Sequence, residues 1–533
     1  MRRGAGAKNL LSMANEKEFE RPQINPWIIA TAVMLSTFME VLDTTVVNVS
    51  LPHIAGSMSA SVDEATWTLT SYLVANAIIL PMTGWLSNYF GRKRMLMTSV
   101  TGFTIASFLC GLAPNLPLLV FFRVMQGACG GGLQPISQAV LLESFPPQDR
   151  GKAMGFWGLG IVVAPMLGPV LGGWLTDSYS WRWVFYINIP VGVLALIMTQ
   201  LFVFDPHYIK RAASRIDYWG IGMLAVGVGA LQIVLDKGQE KDWFSSALIL
   251  RLAVICAVAL VAFVIYELVI AHPVVDLRAF KERTYSAGVF LMTVLGFVLY
   301  GSLVILPIFL QTILGYPAIQ AGIAMFPRGL GSFIAMPFVG LIMSRFDPRK
   351  LLVIGFLACA FSLVLLGTMN LNVGYWEIFW AQFLQGLSLG FLFVPLTTVT
   401  MDLVSNEKMG NATSIFNLMR NIGGSMGIAL STTIVARSTQ SYTNFLGRNI
   451  TPYSLKSQTM LQGLRDFFMS SGADAATATQ RAHAALFGMV QRQASMMSFN
   501  HTYLFLAILF VIVMPAILLM KRPKKRGGGM PAH

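Results

Sequence analysis

Two carboxylates inside an apolar stretch are the first candidates for chemistry in this sequence. Glu40 and Asp43 lie in FMEVLDTTVVNVSLP, residues 38–52, within an apolar segment that runs from about residue 27 to 51. A segment of this length can cross a lipid bilayer as a helix, and a spacing of three residues puts both side chains on one helix face. Because a charge at membrane depth costs about 2.5–3.5 kcal/mol, the pair is a candidate proton-binding site. Pairing with a neighbouring helix to fix packing is the alternative interpretation.

Arg123 is the first candidate partner for these carboxylates. It lies several residues inside the fourth apolar span, where a guanidinium needs an acidic or carbonyl partner. A neighbouring Arg favours the charged form of a carboxylate, whereas desolvation and a second carboxylate favour the protonated form. A site whose balance changes with conformation can load a proton on one side of a membrane and release it on the other. A static bridge between the first and fourth spans is the alternative.

Two further groups are candidates for gating and for substrate contact. The loop GWLSNYFGRKR, residues 84–94, mixes glycines with three consecutive cations, which indicates either ordinary inner-face charge or a latch between the second and third spans. Arg328 and Arg420 lie within spans 10 and 13, where each can attract an anionic substrate or pair with an acidic group. Together with the polar residues Asn76 and Gln134, they form the candidate substrate cavity.

The fifth span carries a stripe of small residues at every fourth position, namely Gly160, Ala164, Gly168 and Gly172. Such a stripe lets another helix approach closely. A similar stripe follows 259 residues later in span 13, at Gly423, Gly427 and Ser431. Ordinary tight packing is one interpretation, but the recurrence favours a moving seam between two halves of the molecule.

The composition is that of a polytopic membrane protein. Of 533 residues, 55% are hydrophobic and 12% are charged, against about 25% charged residues in soluble domains. The net charge of +14 does not indicate nucleic-acid binding, because the basic residues form short clusters between apolar segments. The four cysteines form no CxxC pair, so metal and disulfide sites are not indicated. Without a P-loop or a catalytic set, the expected energy source is an ion gradient, with the proton as coupling ion and no cofactor.

Fourteen apolar spans and an internal repeat predict an all-α fold of two six-helix bundles with two extra spans between them. RVMQG at 123–127 recurs as QFLQG at 382–386, and DRGKA at 149–153 as KMGNA at 408–412, both 259 residues later. Two parallel six-span halves place a substrate site at their interface near the bilayer midplane.

The predicted organisation is a tail (1–26), a first bundle (27–204), a linker with two spans (205–284), a second bundle (285–520) with an outer loop (437–498), and a basic, glycine-rich tail (521–533). The short inner loops hold fifteen Lys and Arg residues and the outer ones four, which predicts cytoplasmic termini. Within the outer loop, Asp474–Gln493 has helical periodicity. It is interpreted either as a docking surface for a partner or as an amphipathic helix on the membrane surface.

Six motifs resemble those of the fourteen-span drug:proton antiporters of the major facilitator superfamily. They are LDTTVVNVSLP (42–52), GWLSNYFGRKR (84–94), FFRVMQG (121–127), APMLGPVLGGW (164–174), WRWVFYINIPVG (181–192) and LDKGQEKDWFSS (235–246). Within that family, the chain resembles the EmrB-type subgroup most. The similarity covers essentially the whole chain. It implies proton-driven export of hydrophobic and amphipathic compounds by a bacterial inner-membrane pump, working with a periplasmic membrane-fusion adaptor and a TolC-like outer-membrane channel.

The same resemblance implies roles for individual residues. Asp43 would be the proton-coupling carboxylate, and Arg123 the charge that tunes it. The antiporter motif would be Gly168, Pro169, Gly172 and Gly173, and the gate motif Gly84, Gly91 and Arg92. Asn88 stands where the gate motif usually has Asp, and Glu40 is not part of the usual motif.

Two other functions are weighed against drug export. The first is export of a physiological amphiphile, such as a fatty acid or a siderophore, for which Arg328 and Arg420 would suit an anionic substrate. The second is a membrane sensor or a membrane-embedded enzyme. The absence of a catalytic set and the two-fold repeat around an intramembrane carboxylate favour a transporter.

Overall fold

The computed structural model describes residues 25–205, 217–270, 273–343, 345–448, 450–451 and 453–521. One of the short basic clusters between apolar segments, Lys210 and Arg211, and nearly all of both predicted tails lie outside these residues. The described chain is helical, as a membrane environment requires, because helices satisfy backbone hydrogen bonds within one segment.

The first bundle consists of α1 (Pro26–Ser57), α2 (Trp67–Phe90), α3 (Arg92–Leu112), α4 (Leu116–Ser144), α5 (Arg150–Ser178) and α6 (Trp183–Phe202). The inserted pair is α7 (Tyr218–Lys237) and α8 (Ala247–Val269). The second bundle consists of α9 (Arg283–Ile313), α10 (Ala318–Ile342), α11 (Pro348–Gly367), α12 (Tyr375–Asp402), α13 (Met409–Gly447) and α15 (Ala475–Val513), with the short α14 (Leu455–Ser470) before α15.

Within the described residues, thirteen helices are long and apolar enough to cross a membrane. The fourteenth, α13, is more polar but lies in the second bundle, where it packs on α9, α15 and α2. Its polar residues include Asn417 and Arg420, which are buried. The predicted fourteen-span organisation is therefore the observed one.

Local signals explain where several helices begin. Asn25 accepts a hydrogen bond from the backbone N–H of Trp27 at 3.0 Å, and Pro26 opens α1, a position where its missing N–H has no cost. Asp347 and Pro348 open α11 in the same way. Asp474 caps α15 by accepting from the N–H groups of Ala476 and Thr477.

The segment predicted as an outer loop, 437–498, is largely helical instead. Helix α13 continues to Gly447, α14 follows, and α15 begins at Ala475, long before the predicted fourteenth span. The periodicity over Asp474–Gln493 predicted this last helix correctly. The sequence did not predict α14 or the end of α13, because both are polar and a short polar segment has the composition of a loop. These three parts enclose an apolar groove that includes Ile450, Leu461 and Leu486.

The stripe of small residues does not form a seam between the halves. A methyl group on Gly160 would meet Met34, one on Gly168 would overlap Thr45, and one on Gly172 would meet the backbone of Val46, all in α1 of the same bundle. In the second bundle, Gly423 and Gly427 likewise pack on α9. The expectation was wrong because small residues report close approach but not which helix approaches.

Candidate functional site

Asp43 lies at the centre of a polar cluster inside the first bundle. Its Oδ2 pairs with Nη1 of Arg123 at 2.6 Å, and its Oδ1 accepts from Nε2 of Gln126 at 2.9 Å and from Nδ2 of Asn188 at 2.8 Å. All four side chains are fully buried. Three helices, α4, α6 and α1, thus meet at one carboxylate. The bond from Arg123 is charge-assisted and therefore stronger than a hydrogen bond between neutral groups.

The guanidinium of Arg123 is held on several sides. Its Nε donates to the carbonyl of Thr68 at 2.9 Å, and Nη1 also donates to Oε1 of Gln126 at 2.7 Å. Its Cζ lies 4.2 Å from the ring centroid of Tyr72, within the range of a cation–π interaction. The structure brings Asp43 and Arg123 together as the sequence analysis expected, and it adds α2 to the site through Thr68 and Tyr72.

The second bundle contains an uncharged counterpart of this cluster. Residues 259 positions after Asp43, Arg123 and Gln126 are Ser302, Gln382 and Gln385. Gln382 donates to Gln385 at 3.3 Å, and Gln385 donates to Ser302 at 3.2 Å, which repeats the order of contacts around Asp43. The repeat predicted from sequence is therefore present in the hydrogen bonds, but only the first copy carries an ionisable pair.

Glu40 lies in a different cluster from Asp43, although the two are three residues apart. Its Oε1 accepts from Nδ2 of Asn76 at 2.9 Å, and its charge interacts with that of Arg420 in the other bundle. Arg420 donates to Oε1 of Gln134. Three of the four predicted cavity residues thus surround Glu40 at the boundary between the halves.

Arg328 does not belong to this cluster, and its assignment to the cavity is wrong. It is buried inside the second bundle, where Nη2 donates to the carbonyl of Leu299 at 3.3 Å. Cys359 and Tyr503 are its electrostatic neighbours. The sequence located Arg328 within a span but gave no information about which face of α10 turns towards the other half.

The gate motif forms a linked set of contacts at one end of the bundle, the end predicted to be cytoplasmic and called the inner end here. Gly91 has φ +92°, and a methyl group there would lie 2.7 Å from Oδ2 of Asp205. Arg92 is buried, pairs with Glu143 of α4 and donates to the carbonyl of Asn406 at 3.3 Å. The predicted latch between α2 and α3 is instead a link from α3 to α4 and to the second half. Asn88, at the end of α2, is half-buried.

The two halves are in contact at this inner end. A methyl group on Gly84 of α2 would lie 2.6 Å from the Cα of Asn411 in α13, so only Gly permits this approach. Gly151 of α5 and Gly340 of α10 face each other in the same way. Deeper along the same interface, Asn417 donates to Gln138 at 2.5 Å and Thr413 donates to the carbonyl of Pro135 at 3.1 Å. The structure therefore describes a state that is closed at the inner end.

The antiporter motif brings α5 against α1 next to the carboxylates. Gly168 and Gly172 face Thr45 and Val46, two and three residues after Asp43. Gly173 faces open space, and Pro169 is half-buried. The small residues of the motif therefore fix the position of the helix that carries Asp43.

Three partners in the Asp43 cluster were not identified from sequence: Gln126, Asn188 and Thr68. A signal existed for Gln126, because it is the polar residue shared by RVMQG and QFLQG, three residues after Arg123 and therefore on its face. Asn188 is a polar residue within an apolar span, which by itself marks a buried contact. Thr68 contributes a backbone carbonyl, for which no side-chain signal can exist.

Comparison with known proteins identifies the family to which this chain belongs. The sequence profile of the Major Facilitator Superfamily matches residues 33–428. The multidrug export protein EmrB of Escherichia coli (strain K12) is 35% identical over 518 residues, 97% of this chain and 99% of that protein. The fatty acid resistance protein FarB of Neisseria gonorrhoeae is 36% identical over 506 residues, 94% of this chain and 97% of that protein. The human organic anion transporter MFSD10 has a TM-score of 0.58 at 13% identity, covers 92% of this chain and 100% of its own, and shares the fold.

Proposed function

Because this chain belongs to the major facilitator superfamily, and within it to the EmrB-type subgroup, we propose that it is a proton-coupled antiporter that exports hydrophobic and amphipathic drugs. It is a secondary transporter in a membrane and not an enzyme. Its substrates would enter from the cytoplasm or the inner leaflet. The observation that carries the proposal is the buried ion pair of Asp43 and Arg123, the ionisable copy of a cluster that is neutral in the other half.

The geometry supports a role for Asp43 as the proton carrier. Protonation of the carboxylate would remove its charge and weaken its contacts with Arg123, Gln126 and Asn188 together. Because these partners lie on α4 and α6, a change at Asp43 alters how α1 sits against both helices. In the proposed cycle, Asp43 takes a proton while the site is open to the outside and releases it to the cytoplasm, and substrate and proton compete for the occupied state.

The driving force is adequate for uphill export. A membrane potential contributes about 2.3 kcal/mol per elementary charge per 100 mV, and about 1.4 kcal/mol corresponds to a tenfold concentration ratio. One proton per cycle therefore supports a gradient well above tenfold for an uncharged substrate.

The proposal extends to location and assembly. The similarity to EmrB of Escherichia coli supports a bacterial inner membrane as the location, and the distribution of Lys and Arg supports cytoplasmic termini. The helical outer segment, from the end of α13 through α14 to the start of α15, supplies a surface for a periplasmic membrane-fusion adaptor that leads to a TolC-like channel. The proton is the coupling ion, and no cofactor is needed.

Export of a physiological amphiphile is the second candidate. The similarity to a fatty acid resistance protein over 94% of the chain favours it. Arg420, at the boundary between the halves, is the residue that would meet a carboxylate head group.

The test is transport by purified protein in liposomes with an internal pH dye and an imposed pH gradient. A hydrophobic cation and a hydrophobic anion are added in turn, and wild type is compared with Asp43→Asn, which keeps the shape of the side chain. Asp236→Asn, a carboxylate in α7 that contacts Thr70, is the matched control. We expect substrate-dependent proton movement in wild type and control and its loss in Asp43→Asn. Undiminished coupled export in that variant would contradict the proposal.

A further inference from the structure

Glu40 and Arg420 face each other across the boundary between the two halves. Glu40 is on α1 and Arg420 on α13, and both are buried. They interact electrostatically without forming an ion pair within 4.0 Å, because Gln134 lies between them and accepts from Arg420. These two residues, with Asn76 and Gln134, form what we call the central layer of the interface. It holds one acidic and one basic group that make no direct ion pair.

Glu40 and Arg420 each have a buried polar atom without a hydrogen-bond partner among the described residues. Glu40 accepts from Asn76 through Oε1, whereas its buried Oε2 has no hydrogen-bond partner among the described residues. Arg420 donates through Nη2 to Gln134 and, at 3.3 Å, to Oδ1 of Asn421, whereas its Nε has no partner among the described residues. A buried charged acceptor without a donor is unfavourable. The position beside Oε2 of Glu40 therefore suits a donor, and a positively charged one best.

We propose that Glu40 is the subsite for the cationic head group of an amphipathic substrate, and that Arg420 is a competing cation carried by the other half. This rests on the proposed export function. When the inner end opens, α13 moves away from α2 and takes Arg420 with it. Glu40 then keeps its neutral neighbours Asn76 and Gln134 and attracts a cation from the cytoplasm. When the inner end closes, Arg420 returns and lowers the affinity for that cation.

This arrangement supplies what an exporter requires, namely a difference in substrate affinity between its two states. The contacts that define the closed state, Gly84 against Asn411 and Gln138 with Asn417, lie on the helices that carry or flank this charge pair. Closure and the return of Arg420 are therefore one movement. An anionic head group at Arg420 gains less, because Nη2 of that guanidinium already has two acceptors and Glu40 would repel the anion.

The experiment measures binding of tetraphenylphosphonium and, separately, of laurate to the full-length protein in nanodiscs without any gradient. We expect Glu40→Gln to raise the Kd for the phosphonium at least tenfold and to leave that for laurate unchanged or lower. We expect Arg420→Gln to lower the Kd for the phosphonium at least threefold, since the competing cation is gone. Glu267→Gln and Arg328→Gln change buried charges outside this layer and should leave both Kd values unchanged.

Each alternative result decides a specific part of the inference. A phosphonium Kd that is unchanged in Glu40→Gln overturns the subsite. A phosphonium Kd that rises in Arg420→Gln overturns the competition. Binding is measured without a proton gradient, so its outcome is independent of the coupled-transport assay with Asp43→Asn, and failure of one proposal is distinguishable from failure of the other.

Discussion

Arg123 is positioned by directed hydrogen bonds as well as by its ion pair, and this distinguishes it from a simple counter-ion. Its guanidinium donates to Thr68, Asp43 and Gln126 from separate N–H groups and lies over Tyr72. A lysine keeps the charge but presents a compact ammonium that cannot reach all of these partners. We expect Arg123→Lys to reduce coupled export at least tenfold while retaining folded protein, measured as transport rate in liposomes and thermal stability in detergent.

Removal of the charge has a different expected result. Arg123→Gln leaves Asp43 buried without its cation, which costs about 3–5 kcal/mol, so we expect a clear loss of thermal stability. The double variant with Asp43→Asn removes both charges and should recover most of that stability without recovering export. Full coupled export in Arg123→Lys would show that charge alone is sufficient and would contradict the positional role.

Gly91 is the second residue whose identity the structure explains. Its φ of +92° is unfavourable for residues with a Cβ, and a methyl group would also crowd Asp205, which accepts from the N–H of Lys93 at 2.8 Å. We expect Gly91→Ala to lower stability by about 1–3 kcal/mol, seen as a lower thermal midpoint. Gly56→Ala is the control, because nothing lies within 4 Å of a methyl group there. Equal midpoints in the two variants would contradict the strain.

The sequence predicted the ionisable residues of the site better than their grouping. Charges within apolar spans are rare and costly, so Asp43, Arg123 and Arg420 were recognisable without a structure. Their partners depend on how each helix is rotated about its axis. The sequence does not specify that rotation, because these helices are apolar on all sides. This is why Glu40 separates from Asp43 into another cluster, and why Arg328 faces the interior of its own bundle.

At the level of helices, the contact between α1 and α5 depends on the absence of side chains. A methyl group on Gly168 would overlap the side chain of Thr45, two residues from Asp43. We expect Gly168→Ala to displace α1, lowering stability by about 1–3 kcal/mol and reducing coupled export. The measurements are the thermal midpoint and the proton flux.

A matched pair of variants isolates this effect. Gly173→Ala lies in the same motif but meets no atom within 4 Å, and we expect it to behave as wild type. Thr45→Gly combined with Gly168→Ala removes most of the overlap and should restore part of the lost activity. If Gly173→Ala were as damaging as Gly168→Ala, the role of the motif would lie outside this helix contact.

Helix existence was more predictable than helix ends. Apolar length predicted each span, and the repeat predicted two bundles, because both follow from the thickness of the bilayer and from internal symmetry. The extension of α13 to Gly447 and the presence of α14 were not predicted. Outside the bilayer, helix formation depends on packing between α13, α14 and α15, which polar sequences indicate only weakly.

For the whole molecule, the two halves repeat the same pattern of hydrogen bonds, but only the first half has ionisable residues in it. The cluster around Asp43 is ionisable, and its counterpart around Ser302 is neutral. The second half instead contributes Arg420 to the central layer. In the proposed cycle, α1 connects the two, because it carries both Asp43, which lies inside the first half, and Glu40, which faces Arg420.

Closure at the inner end is testable with a disulfide between the halves. A Cβ on Gly410 of α13 would lie 3.1 Å from Oγ of Ser87 in α2, close to the spacing between one Cβ and the opposite sulfur of a disulfide. In Ser87→Cys/Gly410→Cys, we expect oxidation to fix the closed state, and export to stop and return on reduction. The single variants control for the four native cysteines, which are all free. Continued export after complete cross-linking would mean that the halves need not separate here, and the alternating cycle would have to open elsewhere.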